Sequence, residues 1–177
     1  MVILGLDPGF ASLGWALLDC SAQPRCVALG VIRTKPDRKS SRCDDNVNRC
    51  GEIADALRQL HEDFDFIFIA SEAQSWTRHA NADRAVAQAW GVIAALSELF
   101  NCPVIQIRPQ EIKMAIAGAR SASKGSVQNI LEHRVLNAEA ALSKLAKTHQ
   151  NHASDALAAA LASLRHPLVQ TVKRMRG

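Results

Sequence analysis

The sequence predicts an α/β fold in which a mixed five-stranded sheet is flanked by helices. Three apolar, strand-like runs follow one another near the N-terminus with short links, the pattern of a meander. Two later short runs, rich in β-branched and aromatic residues, alternate with segments of helical period. Finally, 177 residues with 48% apolar content suffice for one sizeable core, so a single domain over residues 1–177 is expected, with a short basic tail at about 167–177.

Taken in order, "VILGL" reads as a buried strand that stops on Asp7 and turns through Pro8-Gly9. "SLGWALLD" and "CVALGVIRT" are the second and third strands, and residues 34–45, the most polar stretch, are the best candidate for a mobile loop. Across residues 46–61, Val47, Ile53, Ala54, Leu57 and Leu60 recur at helical spacing, with Arg49, Glu52, Asp55 and Arg58 assigned to the wet face. "DFIFIAS" then looks like a central strand and ends at Glu72. A helix over residues 82–100 follows, then "PVIQI" as a strand, "PQEIKMAIA" as a helix opened by proline, and further helices to the C-terminus. Trp15 and Trp90 are expected to cover core, and Ser121 and Ser123 to cap helices.

Composition narrows the function classes. Apolar stretches are broken by charge within a few residues, and the N-terminus has neither the basic flank nor the cleavage signal of an export sequence, so a cytoplasmic protein without a membrane partner is expected. Five cysteines with no C-x-x-C pair suggest neither a disulfide framework nor a zinc knuckle, and they read as packing residues. A formal charge of +4 and a pI near 9.0 favour a polyanionic partner.

An acid at the end of a buried strand needs a reason. If the strands ending at Asp7 and Glu72 lie side by side and parallel, both carboxylates emerge at the carboxyl edge of the sheet, where open α/β sheets bind ligands. Two such acids repel, and holding them together takes a cation or a raised pKa. In "NHASDALAAALA", His152 and Asp155 are three apart and share a helical face, so two strand-end acids would meet two helix-end ligands. An oxygen-rich pocket of that kind suits magnesium or manganese. Taken one at a time, each residue also has a plain structural reading: Asp7 as a turn former, Glu72 as a surface acid, Asp155 as a first-turn helix charge, and His152 as a structural histidine.

The blocks "ILGLDPGFASLGWALLD", the strand ending in Glu72, "NADRAVAQAWGVIAAL", "RPQEIKMAIAGARSASKGSVQ" and "HASDALAAALA" resemble, in that order, the RuvC family of Holliday-junction resolvases. The resemblance spans nearly the whole chain. It implies a ribonuclease H-like fold and a homodimer that nicks two opposed strands of four-way junction DNA with divalent metal. It also implies a catalytic, metal-binding set of Asp7, Glu72, His152 and Asp155, with two Mg2+ per site and Mn2+ as a substitute. Many family members carry an acid where this chain has His152, which leaves His152 either as a weaker ligand of the second ion or as a group that orients or activates the attacking water. Lys113 and Lys124 match basic positions of the family motif and, with Arg120 between them and Arg78, are expected to bind DNA; Arg84 and the tail cations Lys173, Arg174 and Arg176 would extend the track. Backbone amides near Ser123 would hold a phosphate if a helix begins there. The segment "EAQSWTRHANAD" is about two residues longer than the family's usual one, and its Trp76 would replace the aromatic inserted near the exchange point. The helix over residues 82–100, with small residues Ala85, Ala89 and Gly91, would build the dimer interface, and a branch-migration motor is a further possible partner. A phosphotransferase of the actin-like kind would explain "GLDPG" but needs a second phosphate loop and a nucleotide domain. A non-catalytic junction binder has no use for the acids. The serious alternative is a related nuclease acting on other branched DNA or on RNA.

Overall fold

A computed structural model describes residues 1–73 and 80–176. Its sheet has the order β3-β2-β1-β4-β5, built from β1 (Val2–Asp7), β2 (Ser12–Asp19), β3 (Arg25–Arg33), β4 (Phe68–Glu72) and β5 (Val104–Ile107). The pairs β1–β2 and β2–β3 are antiparallel, as short hairpin links dictate, whereas β1–β4 and β4–β5 are parallel. The helices are α1 (Arg42–Phe64), α2 (Ala80–Phe100), α3 (Pro109–Ala117), α4 (Lys124–Arg134), α5 (Ala138–Leu142), α6 (Lys147–Ser163) and α7 (Pro167–Arg176).

Side chains of a strand alternate between faces, and the two cores follow that parity. Ile3, Ala16, Leu18, Phe68 and Ala70 pack with α6 and the C-terminal helices on one face. Leu4, Leu6, Leu13, Leu17 and Ile69 pack with Ile53 and Leu57 of α1 and Ala89, Ile93 and Leu96 of α2 on the other. Asp7 follows Ile3 and Gly5 in parity, and Glu72 follows Phe68 and Ala70. Both acids therefore point to the α6 side.

The approach of α6 is unusually close because two strand positions under it carry no side chain. A Cβ on Gly5 would stand 2.0 Å from the Ala156 carbonyl oxygen, and one on Gly14 would stand 2.2 Å from that of His152. The run Ala158, Ala159 and Ala160, all buried, completes the small-residue contact.

Several boundaries differ from the expectation. Helix α1 starts at Arg42, with Ser41 Oγ accepting from the Asp44 N–H, so the last residues of the expected loop are its first turn. Thr34 and Asp45 at the two ends of that stretch are buried, and Asp45 Oδ1 accepts from the Asp37 N–H at 2.7 Å. The inward face of α1 is Asp45, Arg49, Ile53 and Leu57. Val47 is 70% exposed and Arg49 is buried, the reverse of the assignment made from apolar character alone. The expected basic tail is the helix α7, anchored by fully buried Val169. Trp15 and Trp90 pack against the α1/α2 core as expected.

Cys20, Cys26 and Cys102 are buried packing residues, and burial pushes their thiols up to about 12, about 11 and about 11. Cys43, in the first turn of α1, is exposed. Among the described residues no helix is long and apolar enough to cross a membrane.

Candidate active site

The parallel register sets Leu6 opposite Ser71, so Asp7 and Glu72 are the next residues on adjoining strands and emerge at one sheet edge. Gly14 pairs with Asp7 across the β1–β2 ladder and lies directly under the His152 backbone. That close approach lets the His152 Nδ1 reach Asp7 Oδ2 at 2.7 Å. Asp155, one turn further along α6, meets the Lys124 Nζ at 2.7 Å from the N-terminus of α4. All five residues line a cavity of about 540 Å³, with Lys113 on its α3 wall.

Burial is the chief reason that the Asp7 carboxyl titrates above its ordinary range; the His152 hydrogen bond opposes the shift, and Asp155 adds to it by repulsion. Glu72 is likewise pushed up, first by burial and then by the charges of Asp155 and Asp7, against the pull of Lys124 and Lys113. The Lys124 ammonium is held above its usual value, mainly by its bond to Asp155. The cluster is thus a focus of negative charge with one lysine ammonium already seated in it.

Three carboxylates and an imidazole around one cavity are the donor set of a hard divalent cation, and the seated ammonium marks where positive charge is needed. In this arrangement no three ligating groups among the described residues stand close enough to share one ion. The Lys124 side chain is 75% exposed, and an exposed ion pair contributes roughly 0–1 kcal/mol, so this contact is cheap to exchange.

Of the expected site residues, the structure brings together Asp7, Glu72, His152, Asp155, Lys113 and Lys124. His152 and Asp155 are not at a helix end, because α6 already begins at Lys147. Arg120 lines a separate cavity with Met114 and Arg165. Lys173 acts on the Cys20 thiol, and the Cys20 N–H bonds to the Met1 carbonyl, so this α7 cation sits at the opposite sheet edge from the acids. Trp76 and Arg78 lie outside the described residues. Helix α4 does begin beside Ser123, whose Oγ accepts from the Ser126 N–H. Thr148 and Asn151 also line the cavity and were not anticipated, although their spacing to Asp155 along α6 places all three on one face.

A sequence model of the family described as "Crossover junction endodeoxyribonuclease RuvC" matches residues 3–163, a span that contains every residue of the cluster. The chain belongs to the RuvC family. The RuvC of Prochlorococcus marinus (strain MIT 9303) is 36% identical over 162 residues, covering 91% of this chain and 96% of that one. The structure of Thermus thermophilus RuvC superposes with a TM-score of 0.76 at 25% identity, covering 97% of this chain and 98% of that one. T. thermophilus RuvC in complex with a Holliday junction substrate gives 0.79 at 24% identity, with 97% of each chain covered. The ribonuclease H-like architecture expected from the sequence is the RuvC fold found here. RuvC proteins are endodeoxyribonucleases, and the family's nucleases depend on divalent metal.

Proposed function

We propose that this chain resolves four-way DNA junctions by paired symmetric nicks that leave 5′-phosphate ends. The observation that carries the reading is the meeting of Asp7, Glu72, His152 and Asp155 in one cavity walled by Lys113 and Lys124. Acids alone would repel a DNA backbone, and lysines alone would bind it without cutting. Their juxtaposition suits a site that holds a phosphate beside bound cations.

In this reading Asp7, the most enclosed of the acids, would hold metal together with Glu72 on one side and Asp155 and His152 on the other. Two magnesium ions, with manganese able to substitute, would supply a lowered pKa for the attacking water and charge compensation for the departing 3′ oxygen. The protein's own part is positional. The two strand ends fix Asp7 and Glu72, and α6 fixes Asp155. His152 commits Nδ1 to Asp7, which leaves Nε2 as the ring nitrogen available to a ligand or to a proton from water. Lys124, released from Asp155, would pair with a phosphate oxygen, and Lys113 would do so from the α3 wall.

Paired cuts call for two sites in fixed relation, and a homodimer supplies them. Of the small residues expected at this interface, Ala85 and Ala89 turn inward to the α1/α2 core. The outward face of α2 carries Gly91 with Ala87, Ala94 and Ala95 instead, with nothing within 4 Å of a Cβ built on Gly91, and it ends in Leu99 at 77% exposure. That surface suits close approach by a second copy, which light scattering tests as a molar mass near twice that of the chain.

The deciding experiment offers the protein a synthetic four-way junction, a linear duplex, a fork and an RNA–DNA hybrid, with magnesium and with manganese. Junction-selective, symmetric nicking is expected. Asp7→Asn should lose cleavage on the order of 10³-fold while keeping junction binding, because neutralising an acid near DNA reduces repulsion. Equal cutting of all substrates, or an Asp7→Asn protein that cuts normally, sinks the proposal; preference for the hybrid or the fork selects the related nuclease instead.

A further inference from the structure

On the α1/α2 face another, smaller cavity of about 190 Å³ opens beside the turn that follows Asp7. Its base is Arg49, a side chain 10% exposed. Arg49 Nε donates to Thr34 Oγ at 2.8 Å, and Thr34 Oγ in turn donates to the Phe10 carbonyl at 2.6 Å. The guanidinium lies 4.2 Å from the Phe10 ring centroid. These contacts lock the side chain without using its donors up. Nη2 reaches the Phe10 carbonyl at 3.5 Å, the limit of a hydrogen bond, and Nη1 forms an ion pair with Asp45 Oδ2 at 3.7 Å, longer than a hydrogen bond. The other carboxylate oxygen, Asp45 Oδ1, accepts from the Asp37 N–H. A held guanidinium on a cavity wall that keeps N–H donors beyond those its Thr34, Phe10 and Asp45 contacts use can take a further acceptor from the cavity.

The rest of the lining points the same way. Arg42, at the start of α1, and Arg84, in the first turns of α2, stand around the same space, so three guanidinium groups face one carboxylate. The amides of Asn46, Asn81 and Gln88 add further donors. Two helices of 23 and 21 residues begin there and add the positive ends of their dipoles. We infer that this cavity binds a phosphate of the nucleic-acid backbone, separate from the phosphate held for cleavage. The inference rests on the nuclease reading above and adds a second phosphate contact to it. Phe10 is three residues past Asp7, so the contact lies at the same sheet edge as the acids but on the opposite face. It would hold the strand on the far side of the β1–β2 turn from the cut.

Arg42 and Arg84 are exposed, so replacing them leaves the core intact. The test compares wild type with the Arg42→Ala/Arg84→Ala protein for four-way junction affinity over a salt series. The double variant should bind about tenfold or more weakly at moderate salt, and its slope of log affinity against log salt should be shallower by about 1.8, that of two lost phosphate contacts. The control Arg25→Ala/Arg58→Ala removes the same charge from ion-paired surface positions elsewhere and should behave as wild type. Equal affinity and slope for wild type and double variant, or equal losses in variant and control, overturn the inference and leave the nuclease reading standing. A wild type that binds no DNA overturns both. If inorganic phosphate raises the Tm of wild type more than that of the variant while the two bind junctions equally, the cavity holds a free anion and the inference as stated fails.

Discussion

The two faces of the sheet are packed on opposite terms. Toward α6 the strands present Gly5, Gly14 and Ala16, and the helix answers with alanine, so backbone lies almost on backbone. Toward α1 and α2 they present Leu4, Leu6, Leu13 and Leu17, and the helices stand off on Ile53, Leu57 and Ile93. A core of large side chains tolerates small shifts because rotamers absorb them; a backbone contact has nothing to give. The rigid face is the one that carries His152 and Asp155 to Asp7. The softer face carries the arginine-lined cavity.

The sharpest way to break this contrast is Gly14→Ala. Its Cβ would need to clear the His152 carbonyl oxygen from 2.2 Å, so α6 must lift by about 1 Å. A displacement of that size can cost about 10²-fold in rate, and overpacking costs about 1–3 kcal/mol. Cleavage assays and thermal melts should therefore fall together, and a Gly14→Ala protein of unchanged activity would dissolve the distinction between the faces. On the other face, Ile53→Ala should cost about 2–5 kcal/mol in denaturant melts yet leave cleavage at a temperature where the variant stays folded close to wild type.

A smaller effect sharpens the electrostatic side. The folded chain holds the Glu72 carboxyl above its ordinary value of 4.5, so ionising it costs the native state stability as pH rises through the raised pKa. In metal-free buffer Glu72→Gln should melt higher than wild type at pH 7, and the gap should close as pH falls below about 4.5, where both states are protonated. Adding divalent metal should reverse the order, because wild type then gains a ligand that the variant lacks. A gap independent of pH would assign the effect to packing.

Much of this site was legible because its parts lie in strong local patterns. An apolar run ending on Asp7, another ending at Glu72, and the short spacing of His152 and Asp155 each specify an element and a position on it. What escaped depended on phase and on long-range placement. In α1 the inward positions recur every fourth residue from Asp45, and reading by apolar character alone exchanged Val47 with Arg49. A buried arginine is visible in a sequence only through its partners, and Thr34 and Phe10 are 15 and 39 residues away. The α7 cations likewise read as part of one basic track, whereas the path of the chain carries Lys173 to the far edge beside Cys20.

The uneven fate of the thiols has a practical outcome. Cys20, Cys26 and Cys102 are enclosed and hard to ionise, whereas Cys43 stands in solvent next to Arg42. A maleimide dye should therefore react there first in the native protein, without engineering, and its emission would report changes at the start of α1, one residue from the Arg42 that lines the arginine cavity, while the acid-lined cavity stays unlabelled.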